Sequence, residues 1–192
     1  MVPTEELEGY ARKSRILKLL AIVTACAIVI VLISLPGQKE EVPEFNLPLL
    51  SGGESLSSED LKGSPVVMNF FASWCAPCRE EARRLETAWR AYENDGVRFV
   101  GVNIKDTAEK ATRFVDEFGI TFPVVVDADE KLAGPLGVDA GLPQTFFISR
   151  DGTLQSNAAG DEVGGGGGTV QLGAISSEQL ESHVEALLEE DQ

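Results

Sequence analysis

Residues 16–35 are apolar except for Lys18, Thr24 and Ser34, and from 19 to 35 no residue is charged. A run of that length can cross a bilayer core as a helix, with Lys18 snorkelling at one end. Beyond it the pattern breaks into short pieces. Residues 36–44, "PGQKEEVPE", mix proline, glycine and charge and predict a linker. "FNLPLL" (45–50) predicts an extended segment, and "SSEDLKG" a helical turn stopping at Gly63. "PVVMNFF" (65–71) is a continuous apolar, β-branched run, the signature of a strand buried on both faces.

A helix is predicted next, from Cys75. At about 100° per residue, Cys78, Ala82, Leu85, Trp89 and Tyr92 fall on one apolar face. "VRFVGVNI" (97–104) predicts a second strand, and Asp106 with Glu109 a capping box opening a helix that ends at Gly119. "FPVVVD" and "GLPQTFFIS" predict two more strands, the latter turning at "RDGT" into "LQSNAAG". A last helix is expected from Ser176, with Gln179 as its box partner and Leu180, Val184, Leu187 and Leu188 buried. Alternating strands and helices define an α/β sandwich, and the hairpin makes its central sheet mixed. The five glycines 164–168 precede no Lys-Ser/Thr pair, so a surface loop is predicted there and not a phosphate cradle.

Charge sets the topology. Residues 1–35 carry a net +1, from Arg12, Lys13, Arg15 and Lys18 against three glutamates. With positive charge retained inside, residues 1–15 form a cytoplasmic tail, 16–35 a single membrane anchor, and 45–192 a domain outside the cytoplasm. A cleaved signal peptide would have a shorter apolar run and a small-residue cleavage site. A lipid attached at Cys26 would leave the last nine residues of the apolar run behind it. The 157 residues after the anchor carry −16. Such a body repels phosphate backbones and anionic lipid heads, so no nucleic-acid partner is expected; a solvated acidic surface that serves solubility is one reading of it, and steering of basic partner proteins the other.

The remaining cysteines, Cys75 and Cys78, are separated by Ala76 and Pro77. Zinc needs four ligands, and the chain offers neither a second pair nor more than one histidine, His183, so no metal or other cofactor is expected. A redox dithiol fits better. Cys75 falls at a helix N-terminus, where unpaired N–H groups and the helix dipole favour thiolate. Pro77 suits a first turn because its missing N–H costs no helical bond. Cys78, at i+3 and nearer the core, can resolve a mixed disulfide formed on an exposed Cys75.

"NFFASWCAPCREE" closely resembles the W-C-x-x-C motif of thioredoxin-fold proteins. Residues 44–190 are similar to membrane-anchored thiol–disulfide oxidoreductases of the TlpA, ResA and CcmG type. "GVNIKD" and "FPVVVDADEKLAGPLGV" look like their central insertion, and "GLPQTFFISRDG" like their cis-proline loop and hairpin. The resemblance implies a thioredoxin-like sandwich with an N-terminal extension. Pro143 would be the cis-proline beside the dithiol, and Trp74, Pro77 and Leu142 would join it in contacting substrate. It also implies that Glu81, placed by helix arithmetic about 60° from Cys78, is a half-buried carboxylate exchanging protons with that thiol. The implied activity is reduction of protein disulfides at a bacterial cell membrane, including those of apocytochrome c, with recharging by a membrane electron-donor protein. There are three departures, one of them the glycine run 164–168 before the last helix, which matches none of these family patterns. Asn69 occupies the place of the buried acid of plain thioredoxin, and Ala76-Pro77 replaces the polar pair usual in CcmG-like members. A peroxidase of the peroxiredoxin type would need Thr or Ser where Ala72 stands. A non-catalytic module with a static disulfide is the other alternative.

Overall fold

The computed structural model describes residues 40–138, 141–155 and 170–189. The expected tail (1–15), anchor (16–35), residues 36–39 of the linker and the glycine run lie outside them. Among the described residues no helix is long and apolar enough to cross a membrane.

An antiparallel ribbon of β1 (Asn46–Pro48) and β2 (Ser55–Ser57) leads through a single 3₁₀ turn, Glu59–Leu61, into β3 (Val66–Phe71). Then follow α1 (Ala76–Tyr92), β4 (Arg98–Asn103), α2 (Ala108–Phe118), β5 (Val124–Val126), β6 (Gln144–Ile148), β7 (Val170–Leu172) and α3 (Ser177–Glu189). The main sheet has the order β5-β4-β3-β6-β7. β3, β4 and β5 run parallel, while β6 and β7 are antiparallel to their neighbours. The sheet is mixed, as expected, because β6 runs against β3; Ile148 bridges Leu154 across the expected turn, and residues 156–160 of the expected return strand lie outside the described residues.

All six residues of β3 are buried, because both faces of this central strand are covered. Val66, Met68 and Phe70 point into a cluster with Val100, Val102, Phe146 and Leu132. Val67 and Phe71 point the other way, into a cluster with Ala82 and Leu85 of α1, Phe114 of α2, and Leu180, Val184 and Leu187 of α3. The period-two alternation places Asn69 on this second face, under α1.

The segment Glu40–Val42 docks at one pole of the sheet. The Leu154 N–H donates to Glu40 O at 2.8 Å and the Val42 N–H to Gly152 O at 3.0 Å. In register, Val66 at the start of β3 lies opposite Ile148 at the end of β6, next to this turn.

Two expectations are corrected. The cap of α2 is Thr107, whose hydroxyl accepts from the Lys110 N–H; Asp106 lies outside the helix, and Glu109 pairs instead with Arg113. Gly119 does end α2, in a left-handed conformation (φ 68°) that favours glycine. Val170–Leu172 is a strand against β6, where the sequence predicts only loop.

The capping box of α3 forms as expected. Ser176 N–H donates to Gln179 Oε1 at 3.0 Å and Gln179 N–H to Ser176 Oγ at 3.2 Å. Ser176→Ala should therefore lower stability by ~1 kcal/mol, read as a shift in the urea midpoint with an unchanged slope.

Candidate active site

β3 ends at Phe71, and a tight turn carries the chain into α1, closed by the Cys75 N–H donating to Ala72 O at 3.1 Å. Cys75 is the N-cap of α1, with an extended backbone (φ −79°, ψ 112°) and Pro77 in the first turn. Its sulfur accepts the Cys78 N–H at 3.2 Å, filling the role a serine oxygen plays at other N-caps. The two cysteines are joined, with Cα atoms 5.3 Å apart. Cys75 is 4% exposed and Cys78 1%. The expectation of an exposed Cys75 is thus corrected for the disulfide form, in which Sγ turns in toward its partner. Ala76 and Pro77 are exposed.

Trp74 is 61% exposed, the one large hydrophobic side chain so open among the described residues. The loop after β4 holds the segment before Cys75. The Trp74 indole N–H donates to Lys105 O at 2.9 Å, and the Ser73 N–H to Asp106 Oδ2 at 2.6 Å. Partial burial opposes ionisation of Asp106, but the bonds from Ser73 and the Thr107 N–H outweigh it and hold this carboxyl below its ordinary value.

The Leu142–Pro143 bond is cis. Its neighbour Gln144 pairs with Phe70, so Pro143 lies at the pole where β3 runs toward Cys75. Pro143 is buried, and Leu142 is half-buried against the core cluster that includes both cysteines. The Gly173 N–H donates to Pro143 O at 3.0 Å, and Gln144 Nε2 donates back to Gly141 O at 2.9 Å.

Glu81 lies one helical turn after Cys78. It is fully buried, which corrects the half-buried expectation. Its Oε1 accepts from Asn69 Nδ2 at 2.8 Å and its Oε2 from the Ile175 N–H at 2.8 Å. Asn69 also donates to Thr145 Oγ1 at 3.0 Å. Burial pushes the Glu81 carboxyl from 4.5 up to about 7, against the opposing pull of these donors and of Arg84. Asn69, which stands in the place of the buried acid of plain thioredoxin, serves as the donor that orients an acid placed on the helix. Its place on the helix-facing side of β3 was the available signal. Thr145 and Ile175 gave none, being 76 and 94 residues from their partners.

His183 stacks on Phe147 with ring centroids 4.3 Å apart, and burial lowers its pKa. Among the described residues no cluster of His, Cys, Asp or Glu could hold a metal ion.

A mixed sheet with a Cys-Ala-Pro-Cys pair capping the helix after its central strand, and a cis-proline at the same pole, defines a thioredoxin-fold thiol–disulfide oxidoreductase. Residues 38–157 match the AhpC/TSA family, and the chain belongs to it. It is 32% identical over 124 residues to the thiol-disulfide oxidoreductase ResA of Bacillus thuringiensis, covering 65% of this chain and 70% of that protein. It is 36% identical over 124 residues to the thiol:disulfide interchange protein DsbE of Pseudomonas fluorescens, covering 63% and 67%. A crystal structure of a thiol:disulfide interchange protein of the thioredoxin family from Chlorobium tepidum superposes with a TM-score of 0.66. It has 25% identity and covers 80% of this chain and 99% of that one.

Proposed function

We propose that the protein is a reductase of extracytoplasmic protein disulfides, tethered to the bacterial cell membrane by residues 16–35. The observation that carries this reading is the N-cap position of Cys75, whose sulfur already receives a helix N–H. In the reduced protein the same donors stabilise a Cys75 thiolate. That thiolate attacks one sulfur of a substrate disulfide; the substrate's S–S bond breaks, its other sulfur leaves as a thiolate and takes a proton. Cys78 then gives its proton to Glu81 and attacks Cys75 Sγ, closing the Cys75–Cys78 bond and releasing the second substrate thiolate. Two electrons pass to the substrate, and a membrane electron-donor protein restores the dithiol.

Trp74, Pro77, Leu142 and Pro143 form the substrate face, with the backbone beside Pro143 available to an extended polypeptide. The charge-free run 19–35 behind a basic cluster supports the tether, and the acidic body favours basic substrates. Apocytochrome c, a polypeptide whose haem-binding cysteines must be kept reduced, is the substrate we favour.

The test is capture. In Cys78→Ser the first attack proceeds and resolution cannot, so partners remain as mixed disulfides on Cys75 in intact membranes. Recovery of apocytochrome c is the expected result. A broad set of unrelated proteins would make the chain a general reductase, and no mixed disulfide at all would remove the catalytic reading.

A further inference from the structure

Two non-glycine residues among those described hold left-handed backbones, Lys105 (φ 51°) and Glu130 (φ 54°). For a residue with a Cβ this costs ~1 kcal/mol, and it persists only where the surroundings over-determine it. The two belong to separate loops, after β4 and after β5, yet their side chains meet: Lys105 Nζ lies 3.2 Å from Glu130 Oε2. Because β3, β4 and β5 are parallel, both loops leave the sheet at the pole where β3 runs into Trp74 and Cys75.

Glu130 is a fixed post. Its N–H donates to Asp127 O at 3.2 Å and its carbonyl accepts from the Gly134 N–H at 2.9 Å. The buried Asp127 carboxylate clamps the same turn, taking N–H bonds from Lys131, Leu132 and Ala133 at 2.8, 3.0 and 2.8 Å. On the other side, Asp106 is tied to Ser73. Between these holds, the left-handed turn at Lys105 delivers its carbonyl to the indole N–H of an otherwise exposed Trp74.

We propose that Lys105 is a positioning residue for disulfide exchange: its left-handed backbone aims a carbonyl at Trp74 and fixes the indole as a flat wall beside Cys75, against which the substrate chain flanking its disulfide lies. This rests on the reading above that Trp74 contacts substrate. A held aromatic ring offers contact area at little entropic cost, whereas a freely turning one must first be ordered. The backbone is what matters here, so the ion pair is dispensable provided the left-handed conformation survives.

The test uses the reduced protein and a synthetic peptide carrying one intramolecular disulfide, with the rate followed against peptide concentration. Trp74→Ala is expected to raise the half-saturating concentration about fivefold. Lys105→Val, whose β-branched side chain resists the left-handed region, should do the same, with the saturated rate changed less than about twofold. Lys105→Gly deletes the ion pair but keeps the conformation at no steric cost, and should recover most of the loss. The Trp74 indole N–H resonance, identified by its disappearance in Trp74→Ala, should move and exchange faster in Lys105→Val and return toward its original position in Lys105→Gly. If Trp74→Ala binds peptide like the parent, the substrate-contact reading falls and the proposal with it. If Trp74→Ala weakens binding and Lys105→Val does not, the proposal alone falls. Lys105→Gly as poor as Lys105→Val would transfer the role to the charge pair and overturn it equally. Should Lys105→Val not fold, Lys105→Ala replaces it under the same criteria.

Discussion

Replacing Cys75 with serine is expected to cut disulfide reduction by ~10³-fold or more while leaving the reduced protein folded. The size follows from the nucleophile. A thiolate at the N-cap is stabilised by the amide N–H groups of the first turn, and a serine hydroxyl stays protonated there. The folding expectation follows from the same position, because serine is among the preferred N-cap residues and its oxygen can take the Cys78 N–H that sulfur takes now. The comparison must be made between reduced forms, since closing even this short loop stabilises the oxidised form by ~2 kcal/mol. Equal urea midpoints for reduced parent and variant, beside a collapsed rate, are the outcome sought. Substantial residual turnover would show that Cys78 can start the reaction and would reverse the assigned order of attack.

Glu81→Gln should remove a pH step near neutrality from the second half of the reaction, slowing product release by ~10²-fold on the alkaline side. In the parent, release should speed up as the carboxylate forms and, in the role proposed for Glu81, becomes able to take the Cys78 proton. In the variant, release should follow only the ionisation of the thiol itself. Stability provides a second readout, and its sign is fixed. Burial raises this carboxyl from 4.5 to about 7, so the unfolded chain ionises first as pH rises. Below the lower value both states hold the proton and nothing is lost. Between the two values unfolding releases a proton, and the parent loses ~3 kcal/mol of stability across the window. Above it the contribution is level again. Glutamine carries no such slope, but its amide must face either the Asn69 donor or the Ile175 N–H, leaving one donor unpaired at ~1–3 kcal/mol. The variant should therefore be the weaker protein in acid and gain on the parent toward pH ~8. Parallel stability curves for the two proteins would dispose of the raised pKa, and an unchanged release profile would dispose of the proton transfer.

What the sequence displays and what it hides follow from how far each signal reaches along the chain. The apolar run ending in Phe71, the helical face through Ala82 and Leu85, and the Ser176–Gln179 box are local patterns, and each forms where it is predicted. The dithiol is legible because two thiols three residues apart at a helix start have few other uses. β7 is hidden because three residues beside a glycine run show no alternation to detect. Thr107 displaced Asp106 as the cap of α2 because the Asp106 carboxylate is drawn away to Ser73, a partner 33 residues distant. The full burial of Glu81 depends on a strand, a helix and the loop before α3 closing on it together. Helix arithmetic could place it beside Cys78 but not enclose it. The hold on Trp74 was equally invisible, since it comes from a main-chain carbonyl whose direction no side-chain pattern encodes.

The docking of Glu40–Val42 at the far pole of the sheet has a practical side. β3 runs ~20 Å from that pole to the turn that carries Cys75, so Glu40 lies at the end of the sheet remote from the disulfide. A bead, an electrode or a fused carrier attached at Glu40 should leave the dithiol open to the solution, and the immobilised domain should still exchange thiols and disulfides at that surface.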